Sequence, residues 1–191
     1  MTIMHQGCAW ISLRAAMASV LLMSAVASTA AQNEGTTLRF KGGIGVIPVS
    51  AGVQDDGNAT VAPVAPSVTR NIVRNVQPAG QIWVIDDLDA SVRADGQITV
   101  EGKGLSLGGG NNAGRAAGQS VFATLICGTT ESSTPMAGVL LSPTGDFRID
   151  ATLAPVPNAI CVNPMLLIRN AAVNPVTGFV WFAVGIFRPA N

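Results

Sequence analysis

Tyrosine is absent from this chain and histidine occurs once, at His5. His5 lies ahead of a leader-like segment, so no imidazole remains after leader removal. Ser/His/Asp and Cys/His nucleophilic sites are excluded, as is any zinc site that needs imidazole. Lysine is limited to Lys41 and Lys103, which leaves Schiff-base chemistry without local support. Charge is scarce as well, 12% of residues, with 11 basic against 11 acidic. Phosphate binding needs a basic surplus or stripe, so nucleic acid is excluded as a partner. Aromatics make up only 5%. Trp83 and Trp181, each set among apolar neighbours, therefore read as core rather than as a stacking platform for sugar rings.

Residues 1–30 read as a signal peptide. Arg14 precedes an apolar run from Ala15 to Ala27, and Ser28-Thr29-Ala30 or Thr29-Ala30-Ala31 supplies the small-x-small cleavage pattern, cutting after Ala30 or Ala31. A retained N-terminal anchor is the competing reading. Past the leader, the longest apolar stretch, Gly178 to Phe187, is about half of the ~20 residues a span requires, so no stable membrane insertion is expected. Loss of Arg14 leaves ten basic against 11 acidic residues, a net charge of −1. Export also changes the cysteines. Cys8 departs with the leader, and Cys127 and Cys161 become an even pair in an oxidising compartment, where a disulfide is the default.

What is abundant is turn chemistry, 21 glycines and 11 prolines, punctuating short runs of alternating polarity. The clearest stretch is Trp83 to Leu107, which reads as a β-hairpin around Asp95-Gly96. Val92, Ala94, Ile98 and Val100 fall on one face, with Ser91, Arg93, Gln97, Thr99 and Glu101 facing water. Ser120 to Cys127 is apolar on both faces and reads as a central strand. A second hairpin turns at Pro143-Thr144-Gly145, with Phe147 and Ile149 pointing in and Asp146, Arg148 and Asp150 out. Met165 to Arg169 and Phe179 to Phe187 supply the last two strands. Before the first hairpin, Thr36 to Ser50 reads as an edge strand with a bulge, because glycines and Pro48 interrupt it. Ala51 to Pro66 reads as a linker. Val68 to Gln77 has the spacing of a short helix, with strand as the alternative.

About eight to ten short strands at regular spacing are the signature of a sandwich or barrel. The expected fold is all-β: a single-domain antiparallel β-sandwich, or a partly open barrel, with one disulfide. Residues 31–191 form the domain, 31–80 giving the edge strand, linker and helix, and 81–191 the core sandwich.

Two motifs invite chemistry. Gly108 to Gly118, GGGNNAGRAAG, has the glycines of a phosphate cradle, but a β-branched strand follows where a helix is required, so it reads as a loop. Asp86, Asp87 and Asp89 cluster at the start of the first hairpin, and Asp146 and Asp150 flank an outward strand. Paired carboxylates serve glycoside hydrolysis, and several together bind calcium. The cluster lacks the spacing and glycine of a calcium loop, and solvated strand-end carboxylates are the reading adopted. No cofactor is implied.

The sequence Trp83-Val84-Ile85, then Leu88, Ala90, Val92, Asp95-Gly96, Ile98, Val100, Gly102, Gly104-Leu105 and a strand ending in Cys127, resembles a group of small exported bacterial proteins of unassigned function. The resemblance extends through Asp146 to Asp150 and Cys161 toward the C-terminus. It implies export and carries no activity. The expectation is a non-enzymatic binding or cell-surface module, periplasmic or extracellular, whose ligand is unknown and whose loops at one end, including Gly108 to Gly118, are the place to look. Two alternatives stand beside it. One is a pilin-like subunit that self-associates by strand addition through Gly42 to Val49; the other is a carboxylate-based hydrolase.

Overall fold

The computed structural model describes residues 37–47, 49–50, 68–69, 71–158 and 160–189. The leader and the linker read over Ala51 to Pro66 lie outside the described residues. Among those described, every regular element is a strand: β1 Leu38–Gly45, β2 Val49–Ser50, β3 Val68–Thr69, β4 Trp83–Val84, β5 Asp87–Val92, β6 Gln97–Lys103, β7 Ser106–Leu107, β8 Ser120–Cys127, β9 Thr130–Ser133, β10 Val139–Leu140, β11 Phe147–Thr152, β12 Met165–Asn170 and β13 Trp181–Arg188.

One curled antiparallel sheet dominates, in the order β10-β8-β12-β13-β1-β5-β6-β11, with β9 also on β8. The fold is the partly open barrel of the two expected forms. Strands β9 and β10 lie along the same edge of β8, the first opposite Thr124 to Cys127 and the second opposite Ser120 and Val121. The other side of this broken strand meets the residues flanking β11 at two points, one just past its end and one within the turn that joins β10 to β11. Ser133 and Ala154 exchange both backbone hydrogen bonds at 2.9 Å, and the Ser142 N–H donates to the Asp146 carbonyl at 2.9 Å. The curl is thus fastened at both ends of its seam.

Alternation along each strand decides what the barrel encloses. Leu88, Ala90 and Val92 of β5 pair with Gly102, Val100 and Ile98 of β6, and Phe147 and Ile149 of β11 continue the face. Leu125 and Ala123 of β8 oppose Leu166 and Ile168 of β12, which oppose Gly185 and Ala183 of β13. Leu88, Val100, Leu125, Leu166 and Ile168 are fully buried; each contributes about 1.5 to 3 kcal/mol relative to exposure. The hairpin at Asp95-Gly96 forms as expected: Gly96 has a φ of 83°, and the Gln97 N–H donates to Asp95 Oδ1 at 3.0 Å. Its arms break at Ile85-Asp86 and at Gly104-Leu105. Beyond the break, β4 pairs with β7 as a separate small sheet. Strand β8 is buried on both faces between its neighbours.

Two expectations are corrected. Strand β1 lies in the middle of the sheet, paired with β13 on one edge and β5 on the other. Its bulge is present, between Phe40 and Gly43, but its glycines admit neighbours rather than mark an edge. A Cβ at Gly43 would sit 2.9 Å from Ile85 Cγ2, and one at Gly45 would collide with the Trp83 carbonyl. The helical spacing of Val68 to Gln77 yields no helix. Val73 and Val76 exchange backbone hydrogen bonds at 3.1 and 2.8 Å across a tight turn, in which Arg74 and Asn75 have φ of 48° and 66°. An isolated two-turn helix is unstable without an apolar partner, whereas this turn lets Val76 bury.

Cys127, at the end of β8, and Cys161, in the loop between β11 and β12, form the disulfide, with Cα atoms 4.8 Å apart. The Gly128 N–H donates to the Val162 carbonyl at 2.9 Å beside it.

Candidate functional site

Strand pairing sends the carboxylates to different partners. Asp87 and Asp89 share a face of β5, and β1 alongside presents Lys41 to both: its Nζ is 3.0 Å from Asp89 Oδ2 and 3.7 Å from Asp87 Oδ2. The hydrogen bond to Asp89, reinforced by the charge of Asp87, holds the ammonium above its ordinary range. Asp86 falls on the other face, against Gly104. Asp146 organises its own turn: Oδ1 accepts from the Gly104 N–H at 3.0 Å, and Oδ2 from Thr144 Oγ1 at 3.2 Å. On the outer face, Arg148 bridges Asp150 and Glu101. The hydrogen bond from Arg148, then one from Thr99 opposite, holds the Asp150 carboxyl below its ordinary range. Asp87, Asp89 and Asp150 are thus ion-paired and Asp146 is turn-capping. Among the described residues, no group of three His, Cys, Asp or Glu side chains is placed to hold a metal.

A second polar focus is Arg169 of β12. Its Nη2 and Nε donate to the Phe179 carbonyl at 2.8 and 3.2 Å, and Nη1 to Glu131 at 3.1 Å. The guanidinium lies 5.5 Å from the Phe122 ring and 6.0 Å from that of Phe179. Burial pushes its pKa down, opposed by Glu131. Each of its three nitrogens donates within the fold, so Arg169 is a clamp on the β12–β13 connection rather than a ligand group.

The concave surface lies elsewhere, at the end of the barrel where residues 78–82 cross between β13 and the small β4–β7 sheet. Pro78 forms a bridge with Trp181, and the Ala79 N–H donates to the Trp181 carbonyl at 3.0 Å. The Ile82 carbonyl accepts from Gly108 at 2.9 Å. Held at both ends, this segment separates two cavities, of about 460 and 590 Å³, and Pro78 to Gln81 line both. The smaller reaches Ile47, Asn71 and Gly109-Gly110; the larger is walled by Gln119, Asn170 and the 172–177 loop. Gly108 to Gly118, the loop singled out by its composition, thus contributes to both. As expected, a strand and not a helix follows it.

The chemistry of this cleft is set by what it omits. Among the described residues, neither cavity is lined by any Asp, Glu, Lys, Arg or His. The polar groups offered are amides, the Thr177 hydroxyl and backbone. Some amides are already committed: Asn170 Nδ2 donates to Gln119 Oε1 at 2.9 Å, and Asn174 Oδ1 accepts from Val176 and Thr177 at 2.8 and 3.1 Å. Trp83 and Phe182 stack at 3.9 Å with 17° between planes and are buried, at 4% and 2% exposure. They form the floor and present no open ring face. None of the carboxylates singled out in the sequence reaches the cleft. The lining comes from segments scattered from residue 46 to residue 182, all of ordinary residue types, and only the glycine-rich loop signalled it. No protein-family model, curated protein or solved structure matches the chain.

Proposed function

We propose that this is an exported, non-enzymatic binding module that takes an uncharged ligand in the cleft flanking residues 78–82. The observation that carries the reading is a two-lobed concavity whose lining, among the described residues, holds no ionisable side chain. Binding sites are concave, of roughly 300–1,000 Å³, largely apolar and furnished with a few placed polar groups; each lobe falls in that range. An acid-base or nucleophilic mechanism needs titratable groups within reach of substrate, and the described residues of the lining offer none. Export rests on the leader read at residues 1–30 and is supported by the Cys127–Cys161 disulfide, which persists in oxidising compartments. The pairing of β1 on both edges favours this reading over the pilin-like subunit, whose donor segment would be the one already taken into the sheet.

The test is the native mass of protein recovered from the exported fraction, followed by ligand screening. A discrete monomer at the processed mass, with a 1:1 adduct from an uncharged library, is the expected result. A ladder of multiples would transfer the reading to the assembling subunit. Hydrolysis of a glycan, abolished by Asn at Asp86, Asp87, Asp146 or Asp150, would transfer it to the enzyme.

A further inference from the structure

The end of the barrel away from the cleft carries a second surface, and we infer that it docks reversibly on an anionic phospholipid bilayer, without spanning it. Strand β13 sets the two ends apart. It begins at Trp181, against Pro78 and Ala79 of the cleft, and finishes at Arg188, opposite Arg39 of β1. Beside Arg39, Leu38 lies opposite Val92, so the Asp95-Gly96 turn closes the same end. The loop between β11 and β12 folds over that turn. The Leu153 N–H donates to the Gly96 carbonyl at 2.8 Å, and a Cβ built on Gly96 would stand 3.3 Å from Val156. Ile160 lines one cavity with Leu38 and Arg93. The Val162 carbonyl and the Cys127–Cys161 bond then tie the loop to the end of β8.

Two properties of this end match a lipid surface. The first is apolar. Ile160 at 82%, Val162 at 59% and Val156 at 55% exposure are branched aliphatic side chains on a loop that a disulfide anchors. Burying them at the boundary between headgroups and acyl chains removes apolar area from water at little cost in ordering. The second property is charge. Opposed residues on neighbouring strands share a face, and like charges so placed repel; Arg39 and Arg188 are such a pair, both exposed. A phosphate between two guanidiniums relieves the repulsion and accepts from both. Arg93 adds a third cation, offset in part by Asp95 at 3.4 Å. Asp150 ends the row that runs from Arg39 through Ser91 and Thr99, and its charge goes to Arg148; that of Glu131 goes to Arg169. A bilayer presents phosphates above acyl chains at every point, whereas a protein partner would need a separate recess for each protruding side chain. Docked in this way, the cleft opens away from the bilayer.

The experiment sediments the processed, exported protein with vesicles of phosphatidylglycerol and phosphatidylcholine, with vesicles of phosphatidylcholine alone, and with the mixed vesicles plus soluble glycerophosphate. Two double variants accompany it, Ile160→Ser/Val162→Ser and Arg39→Gln/Arg188→Gln. All four side chains are exposed, and unchanged melting curves verify the fold. A further variant, Ile160→Trp, keeps the loop apolar and reports insertion by a blue shift of its fluorescence. The expected result is sedimentation with the mixed vesicles, accompanied by the blue shift, weakened about tenfold or more in each double variant and weakened by added salt. Full competition by soluble glycerophosphate, with the aliphatic variant unchanged, overturns the bilayer and leaves a free-phosphate site at the arginines. Sedimentation without vesicles, lost in the aliphatic variant, overturns it in favour of a second copy of this chain. Binding to neither vesicle, or binding indifferent to both double variants, overturns the surface itself.

Discussion

Removing the disulfide provides the most quantitative test of how this barrel end is held. Cys127 and Cys161 are 34 residues apart in sequence. In the chain-entropy model, closing a loop of this size in the unfolded ensemble is worth about 13 cal/mol/K, or about 4 kcal/mol at 25 °C. A Cys127→Ala/Cys161→Ala double variant is therefore expected to lose about 4 kcal/mol. For a domain of this size the loss corresponds to a drop of about 8 to 15 °C in Tm. The assay is urea denaturation of the wild type, the wild type with reductant, and the double variant. Reduced wild type and double variant should coincide. Hydrogen exchange should localise the native-state opening to the Gly128–Val162 contact, with β12 still protected. A loss below about 1 kcal/mol would refute the reasoning, since it would mean that the reduced, unfolded chain is already confined or that the bond is absent.

Glycine substitutions separate the roles assigned above. Gly45→Ala, which drives a methyl into the Trp83 carbonyl, should destabilise by about 2 kcal/mol or more on chemical denaturation, whereas Gly80→Ala, whose methyl would meet nothing within 4 Å, should stay within about 0.5 kcal/mol of wild type. Arg169→Met should cost about 1 to 3 kcal/mol through the orphaned Phe179 carbonyl; a double-mutant cycle with Glu131→Gln should assign about 1 kcal/mol or less to the ion pair, whose Glu131 side is open to solvent. Asp150 titrates below its unfolded value, so the folded state binds fewer protons in that window. Its contribution is present above the ordinary carboxylate pKa of 3.8 and lost as pH falls toward the folded value. Asp150→Asn should match the wild type at the low-pH end, be slightly less stable at neutral pH, and so flatten the acid limb of a stability-against-pH curve.

The elements legible in the sequence are those whose cause is local. Asp95-Gly96 specifies its turn by positive φ, and alternation on either side suffices to place Val92 and Ile98 inward. Strand β8 announces its central position by being apolar on both faces. Strand β1 misleads because glycine has two meanings in a strand. It weakens an edge, and it also makes room where other backbone passes closely, and only the arrival of Trp83 and Ile85 tells them apart. The valines and isoleucine of 68–77 have helical spacing, yet nothing presents an apolar face for such a helix to cover. The cleft was illegible for a further reason. Its character is an absence of charge among described residues drawn from several distant segments, and no window of sequence displays that. The carboxylates drew attention because they are conspicuous locally, but strand register gave Asp87, Asp89 and Asp150 cationic partners, and Asp146 is taken up by its own turn.

The placement of β1 has a consequence for how damage propagates. Strand β13 supports two neighbours at once, β12 on one edge and β1 on the other, and Phe40 of β1 lies opposite Phe187. Clipping the chain ahead of Trp181 would thus strip β12 and β1 together, leaving two bare, mostly apolar edges facing the same gap. Such edges are templates for pairing with other chains. Proteolytic trimming at this terminus should convert the protein into an aggregating species rather than a smaller soluble one, while a cut in the 172–177 loop, with β13 still seated, should leave the barrel whole.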